Sequence, residues 1–164
     1  MAADSNDVQY TRATLDDINE LVRLRLAYLT ADFGELSAKD ANAIVGSLPS
    51  YFERHLENDL YAHAAWSDGK IVGTCWLLLS EKPMSVAFPH GKTAAIFNVY
   101  VDPSYRRRGI ARQLMLNLIE QAKGLGLDRL ELRATAMGFE LYKSIGFVED
   151  SPTHRAMNYV LFDR

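Results

Sequence analysis

Four arginines surround one glycine in the run Tyr105-Arg106-Arg107-Arg108-Gly109-Ile110-Ala111-Arg112. Guanidinium groups are charge-assisted donors to phosphate oxygens, and residues as small as Gly109 and Ala111 let those oxygens approach backbone amides. Ile110, Leu114, Leu118 and Ile119 follow at helical spacing, with Arg112, Gln113, Asn117 and Glu120 on the other side. A helix starting there directs unpaired amides and the positive end of its dipole at the basic turn. The chemistry these residues suit is capture of a phosphate-type anion. A helix that simply begins after a solvated basic turn would carry the same residues.

The elements that must position this turn lie on either side of it. Ile96, Phe97, Val99, Tyr100 and Val101 form an apolar strand, which Asp102-Pro103 ends because proline lacks the amide hydrogen. The order is strand, basic loop, helix. About 30 residues further on, as expected for one helix and one strand between, comes Thr135-Ala136-Met137-Gly138-Phe139-Glu140-Leu141-Tyr142-Lys143-Ser144-Ile145-Gly146-Phe147, a short helix closed by glycine.

Arg106-Arg107-Arg108-Gly109-Ile110-Ala111 fits the pattern Gln/Arg-x-x-Gly-x-Gly/Ala, and the second run ends Leu-Tyr-x-x-x-Gly-Phe. Over residues 96–147 the chain thus resembles the GNAT superfamily of acetyl-CoA-dependent N-acetyltransferases. The resemblance implies an α/β (α+β) fold: a mixed, mostly antiparallel seven-stranded sheet with helices on both faces and a splayed central strand pair. It implies acetyl-CoA as co-substrate and no metal. Arg106, Arg107, Arg108, Gly109, Ile110, Ala111 and Arg112 would hold the pyrophosphate, and backbone groups of Val99, Tyr100 and Val101 would pair with the pantetheine arm. Thr135 would contact that arm too, although the family often has asparagine there, whose reach is longer. Gly138 stands where a small residue, often alanine, is usual. The implied activity is transfer of an acetyl group to a primary amine of a small molecule or a protein, by direct attack in a ternary complex. The alternative is a non-catalytic acyl-CoA-binding module of the same fold. The family also suggests a homodimer.

Acyl transfer from a thioester needs a neutral amine, a polarised carbonyl and a stabilised leaving thiolate. Tyr142 matches the family's helix tyrosine and is the expected general acid, since a phenol stays protonated at neutral pH. Polarisation falls to a backbone amide near Val99–Val101, aimed by a bulge in the strand. The base stays unassigned: Asp32, Glu35 and Glu81 have no spacing argument, and Asn98 can orient a water without accepting a proton. In the resembling family the connection between the first two helices flanks the acceptor, which makes Asp32, Glu35, Tyr51 and Glu53 candidates for holding a cationic amine.

The 164 residues, 48% hydrophobic and 24% charged, suit one domain over 1–164, with 1–7 a disordered tail. A net charge of −3 excludes the broad basic surface of a nucleic-acid binder. No stretch reaches the roughly 18 apolar residues of a membrane span, no apolar signal core opens the chain, and a lone Cys75 in a strand reads as a structural thiol, so a cytoplasmic protein is expected. His55 and His63 lack a second ligand at metal spacing and read as packed or surface histidines.

Strands are expected at 8–13, 60–66, 70–79, 93–101, 128–134, 147–150 and 155–162. Ser67-Asp68-Gly69 makes a hairpin, and the polar segment 80–92 a mobile loop on the acceptor side. Thr14 and Asp17 form a capping box for a helix over 15–31, where Ile18, Leu21, Val22, Arg25 and Leu29 share one stripe. Ser37 caps a second helix running to Gly46, and Pro49 starts a third.

Overall fold

A computed structural model describes residues 8–150 and 153–162. The chain divides into two compact units, the first ending at Arg133 and the second starting at Ala134. The expected tail 1–7 lies outside the described residues.

The first unit is built on a five-stranded sheet in sequential order, from β1 (Gln9–Arg12) through β2 (Leu60–Ser67), β3 (Lys70–Glu81) and β4 (Lys92–Val101) to β5 (Arg129–Glu131). Only the β4–β5 pair is parallel. The β2–β3 hairpin turns at Asp68 and Gly69, both at positive φ (50° and 72°), as a two-residue primed turn requires. The expected capping box is present: Thr14 N–H donates to Asp17 Oδ2 at 2.8 Å. It opens a short 3₁₀ turn that leads into α1 (Ile18–Phe33).

Ser37 caps α2 (Ala38–His55), its hydroxyl accepting from Asp40 N–H. This is one helix instead of the two expected, with Pro49 inside it. The carbonyl that proline cannot serve is that of Val45, four residues back, and Val45 is an exposed residue, so the lost bond does not fall in the core.

Helices cover both faces of the sheet. Against one lie α1 and α2, where Leu21, Leu24, Phe52, Leu56, Leu60, Ala62, Ala64, Ile71 and Trp76 form one cluster, with the Phe52 and Trp76 rings edge to face at 5.3 Å. Against the other lies α3 (Ile110–Gly124), through Ile110, Leu114, Met115, Leu118 and Ala122. Its first turn sits tight on β3: a Cβ at Gly73 would stand 3.0 Å from Ile110 Cγ2 and 3.3 Å from Leu114 Cδ1. Cys75 is wholly buried, and burial pushes its thiol up, away from the reactive thiolate.

His63 is packed, with Nε2 2.6 Å from Gln121 Oε1 on α3. Burial pushes its pKa below the ordinary 6.5. The folded protein therefore binds this proton more weakly than the unfolded chain. The stability it contributes is present above about pH 6.5 and is lost as the pH falls toward the depressed folded value. The melting temperature is expected to fall between pH 7.5 and 5.0, and a His63→Gln variant should show a shallower fall over that window. Equal slopes would remove His63 from the pH dependence.

The second unit contains α4 (Phe139–Ile145), closed by Gly146 at φ 117°. The two strands expected at 147–150 and 155–162 are not formed in the described residues, so the sheet has five strands and not seven. Residues 151–152, between the two, lie outside the described residues. The alternation in 155–162 is real, but a ladder needs a face to bury. Met157, Tyr159 and Leu161 are exposed, and so are Val160 and Phe162 on the opposite phase.

Candidate functional site

Two departures from regular β structure define the end of β4. The first is a bulge. Phe97 pairs with Trp76 and Tyr100 with Thr74, so Asn98 and Val99 together stand opposite Cys75 alone. Asn98 takes the extra residue's conformation, φ 52°, which asparagine tolerates better than most residues. Backbone groups at such a step are released from the ladder and point away from it. A bulge in this strand was the expectation for Val99–Val101, and it begins one residue earlier.

The second departure is on the other edge. The parallel ladder with β5 ends at Ala95↔Glu131, and no strand of the first unit continues it alongside Ile96, Asn98 or Tyr100.

Beyond Val101 the chain makes the basic turn. Asp102 accepts from Ser104 N–H at 2.9 Å and from its hydroxyl at 2.6 Å, which fixes the 3₁₀ turn Pro103–Tyr105 and holds the carboxyl below its usual range. Arg107 (φ 63°) and Gly109 (φ 78°) both take left-handed conformations around Arg108, and α3 starts immediately after. Left-handed residues interspersed in a turn direct successive amides into one concavity, to which the helix start adds its own. A Cβ at Gly109 would meet nothing within 4 Å. Glycine is therefore favoured there by its φ and not by crowding, and the space above it is open. These residues fit the diphosphate of a CoA thioester.

The arginines divide their work. Arg106 turns back, its Nε donating to Val101 O at 3.0 Å beside the Tyr100 ring. Arg108 Nη2 donates to Ser104 O at 3.2 Å and lies over the Tyr105 ring. Both brace the turn they were expected to charge, while Arg107 is exposed. Ile110 is buried under the helix start and Ala111 is half-buried, so these two offer backbone only.

On the α1–α2 side, Arg25 Nη1 donates to Asn98 Oδ1 at 3.2 Å. Sequence reasoning missed Arg25. The signal was there, a lone charge in the otherwise apolar stripe of α1. Asp32 and Glu35 are exposed at and beyond the end of α1; Tyr51 is half-buried, its ring 4.4 Å from that of His55, whose Nδ1 is 2.7 Å from Asp59 Oδ1. Glu53 is exposed, and Glu81 ends β3 opposite Lys92, away from the bulge.

The 82–91 loop is not free. Lys82 N–H donates to Gly91 O, and His90 contacts Asp128 through both its amide (2.9 Å) and Nδ1 (2.6 Å). It is tied at the start of β4, six residues and about 20 Å along the strand from Asn98.

In the second unit, Tyr142 is buried on α4, its ring edge to face with Phe147 at 6.0 Å. Gly138 makes room for that ring: a Cβ there would stand 2.8 Å from Tyr142 Cε2. Thr135 accepts from Gly138 N–H through both its carbonyl and its hydroxyl (3.1 and 3.2 Å), so its side chain serves the local turn. Among the described residues no group of three or more His, Cys, Asp or Glu could hold a metal, and no helix is long and apolar enough to cross a membrane.

Residues 19–147 match the model of a family described as the acetyltransferase (GNAT) family. A stretch of the chain is 42% identical over 59 residues to the ribosomal protein bS18-alanine N-acetyltransferase of Escherichia coli, covering 34% of this chain and 40% of that protein. The chain thus spans well under half the length of that relative. The enzyme of the same name from Haemophilus ducreyi is 32% identical over 109 residues, 58% of this chain and 75% of its own. Among solved structures, a predicted acetyltransferase from Clostridium acetobutylicum, crystallised with acetyl-CoA, superposes with a TM-score of 0.80 at 28% identity. That superposition covers 92% of this chain and 96% of the other.

Proposed function

This chain belongs to the acetyltransferase (GNAT) family, and from that premise we propose that it transfers the acetyl group of acetyl-CoA to a primary amine, on a small molecule or a protein, by direct attack in a ternary complex. The observation that carries the reading is the juxtaposition at the end of β4 of a bulge, an unpaired strand edge and a helix start entered through two left-handed residues. Bound acetyl-CoA supplies an activated thioester. The chain's residues do the rest. Amides of residues 107–111 hold the diphosphate, and the edge of β4 at Val99, Tyr100 and Val101 pairs with the pantetheine as an added strand would. The displaced amides at Asn98 and Val99 donate to the thioester oxygen, where negative charge grows during attack. As the C–N bond forms and the C–S bond breaks, Tyr142 donates the proton that the departing thiolate takes up, and the proton shed by the acetylated nitrogen passes through water to restore the phenol. Thr135 retains its hydroxyl hydrogen for the pantetheine, since its oxygen accepts in the local turn.

The test is a titration with acetyl-CoA followed by thiol release over a panel of amines. At a hundred times its dissociation constant, a ligand specific to the folded state stabilises it by about 2.7 kcal/mol, so a rise in melting temperature of several degrees is expected. Binding without amine-dependent thiol release would leave only the non-catalytic module, and no binding would remove both.

A further inference from the structure

Arg25 interrupts the apolar face of α1, and its surroundings show a charge held without a counter-charge. Burial pushes the guanidinium below its ordinary pKa. The Tyr28 and Trp76 rings lie 5.6 and 5.8 Å from its carbon. Among the described residues, no ion pair gives it a carboxylate. Its Nη1 donates to Asn98 Oδ1, a neutral acceptor. That bond also orients the Asn98 amide, because a cation donates only to the oxygen end. The other end, Nδ2, is then left buried with no partner, on a residue that is 2% exposed.

Both deficits have the same sign. A buried donor without an acceptor is destabilising, and a partly desolvated cation without an anion adds to that cost. One negatively charged acceptor would satisfy the two together. We propose that Arg25 and Asn98 form the subsite for a carboxylate on the acceptor, so that the amine acetylated is an amino acid or another small amine bearing a carboxylate close to its nitrogen. This rests on the acyl-transfer reading of the β4 bulge.

Position narrows the class further. Asn98 is itself the bulge residue, and its Cα is one peptide step, about 3.8 Å, from that of Val99. A group bound by its side chain is therefore only a few atoms from an amine aimed at a carbonyl on the bulge amides. A guanidinium fork and one amide N–H₂ match the two coplanar oxygens of a carboxylate; a phosphate, with three oxygens to satisfy, would call for further donors. The aromatic rings limit water around Arg25, which strengthens the pairing. A guanidinium beside the acceptor also disfavours its ammonium form, which helps to supply the neutral amine in a site where no base has been assigned.

The test uses the full chain labelled with ¹⁵N. Sodium acetate is titrated against matched sodium chloride while the Asn98 Nδ2 and Arg25 Nε resonances are followed. In a second tube acetyl-CoA is titrated while the backbone amides of residues 109–111 are followed. Acetate is expected to shift both side-chain signals saturably, with chloride inert, and the Asn98 shift should vanish in Arg25→Gln. Arg25→Lys, which keeps the charge and loses the fork, should retain a weaker response and controls for loss of fold. Thiol release is then compared for the twenty amino acids, their amides, the matching decarboxylated amines and phosphoethanolamine. A preference in kcat/KM of at least tenfold for acid over amide is expected. It should collapse in Arg25→Gln while KM for acetyl-CoA stays unchanged.

Silent acetate with a clear acetyl-CoA response overturns the subsite alone. Silent acetyl-CoA overturns the acyl-transfer reading and the acceptor assignment with it. A preference for amides, decarboxylated amines or phosphoethanolamine overturns the carboxylate.

Discussion

Gly109→Val is expected to weaken acetyl-CoA binding by about a hundredfold while lowering the melting temperature by only a few degrees. Gly109 sits at φ 78°, and a side chain held in that region costs on the order of 1–3 kcal/mol, most for a branched residue. The protein can relieve that strain by letting the turn relax, because no neighbour within 4 Å holds the position from the side-chain direction. Relaxation spares the fold but rotates the amides of the turn away from their common focus. The valine methyls would also project into the open space where phosphate oxygens approach. Losing two charge-assisted hydrogen bonds of about 1.5 kcal/mol each corresponds to roughly a hundredfold in affinity. Calorimetry gives the affinity and a thermal melt gives the stability. An unchanged dissociation constant would mean that the turn is only a helix start.

Tyr142→Phe should reduce kcat by about a hundredfold or more, the usual worth of a positioned acid, and leave KM for acetyl-CoA within about twofold. The substitution removes one oxygen and keeps the ring that packs edge to face on Phe147, so α4 is expected to stay folded. Gly138→Ala is a companion experiment that leaves the hydroxyl in place. Its methyl would stand 2.8 Å from Cε2 and 3.3 Å from the hydroxyl oxygen, closer than a methyl group can approach, so the ring must shift. A loss of kcat in both variants, with acetyl-CoA affinity intact in both, supports proton donation from a fixed hydroxyl. A wild-type rate in Tyr142→Phe would remove that residue from the mechanism.

Several parts of this protein are legible from neighbouring residues because local geometry decides them. The capping box of Thr14 and Asp17, the Ser37 cap, the Asp68-Gly69 turn and the sequence of strand, basic loop and helix through Val101 and Gly109 each follow from side chains three or four positions apart or from one residue's freedom to take positive φ. The apolar spacing of α3 predicts the face it buries.

Other features needed the assembled chain. Periodicity alone makes strands of residues 147–150 and 155–162, but a strand exists only where another edge and a covering face receive it; Phe147 packs on Tyr142 of α4 instead, and the other described residues there lie exposed. Pro49 reads as a helix start in isolation and is accommodated within α2, where Val45, the residue whose carbonyl it deprives, is exposed and outside the core. Two of the arginines read as anion ligands are drawn back onto Val101 O and Ser104 O, carbonyls that the fold places beside them. The Arg25–Asn98 pair spans 73 positions. No local spacing encodes it, because the helix that carries Arg25 and the bulge that turns Asn98 inward meet only once the sheet has formed. The sequence by itself determined that a strand, a basic turn and a helix start would follow one another at the end of β4; the tertiary structure alone decided that a guanidinium and a partnerless amide meet beside the bulge, since burial without a partner is a property of packing and not of order along the chain.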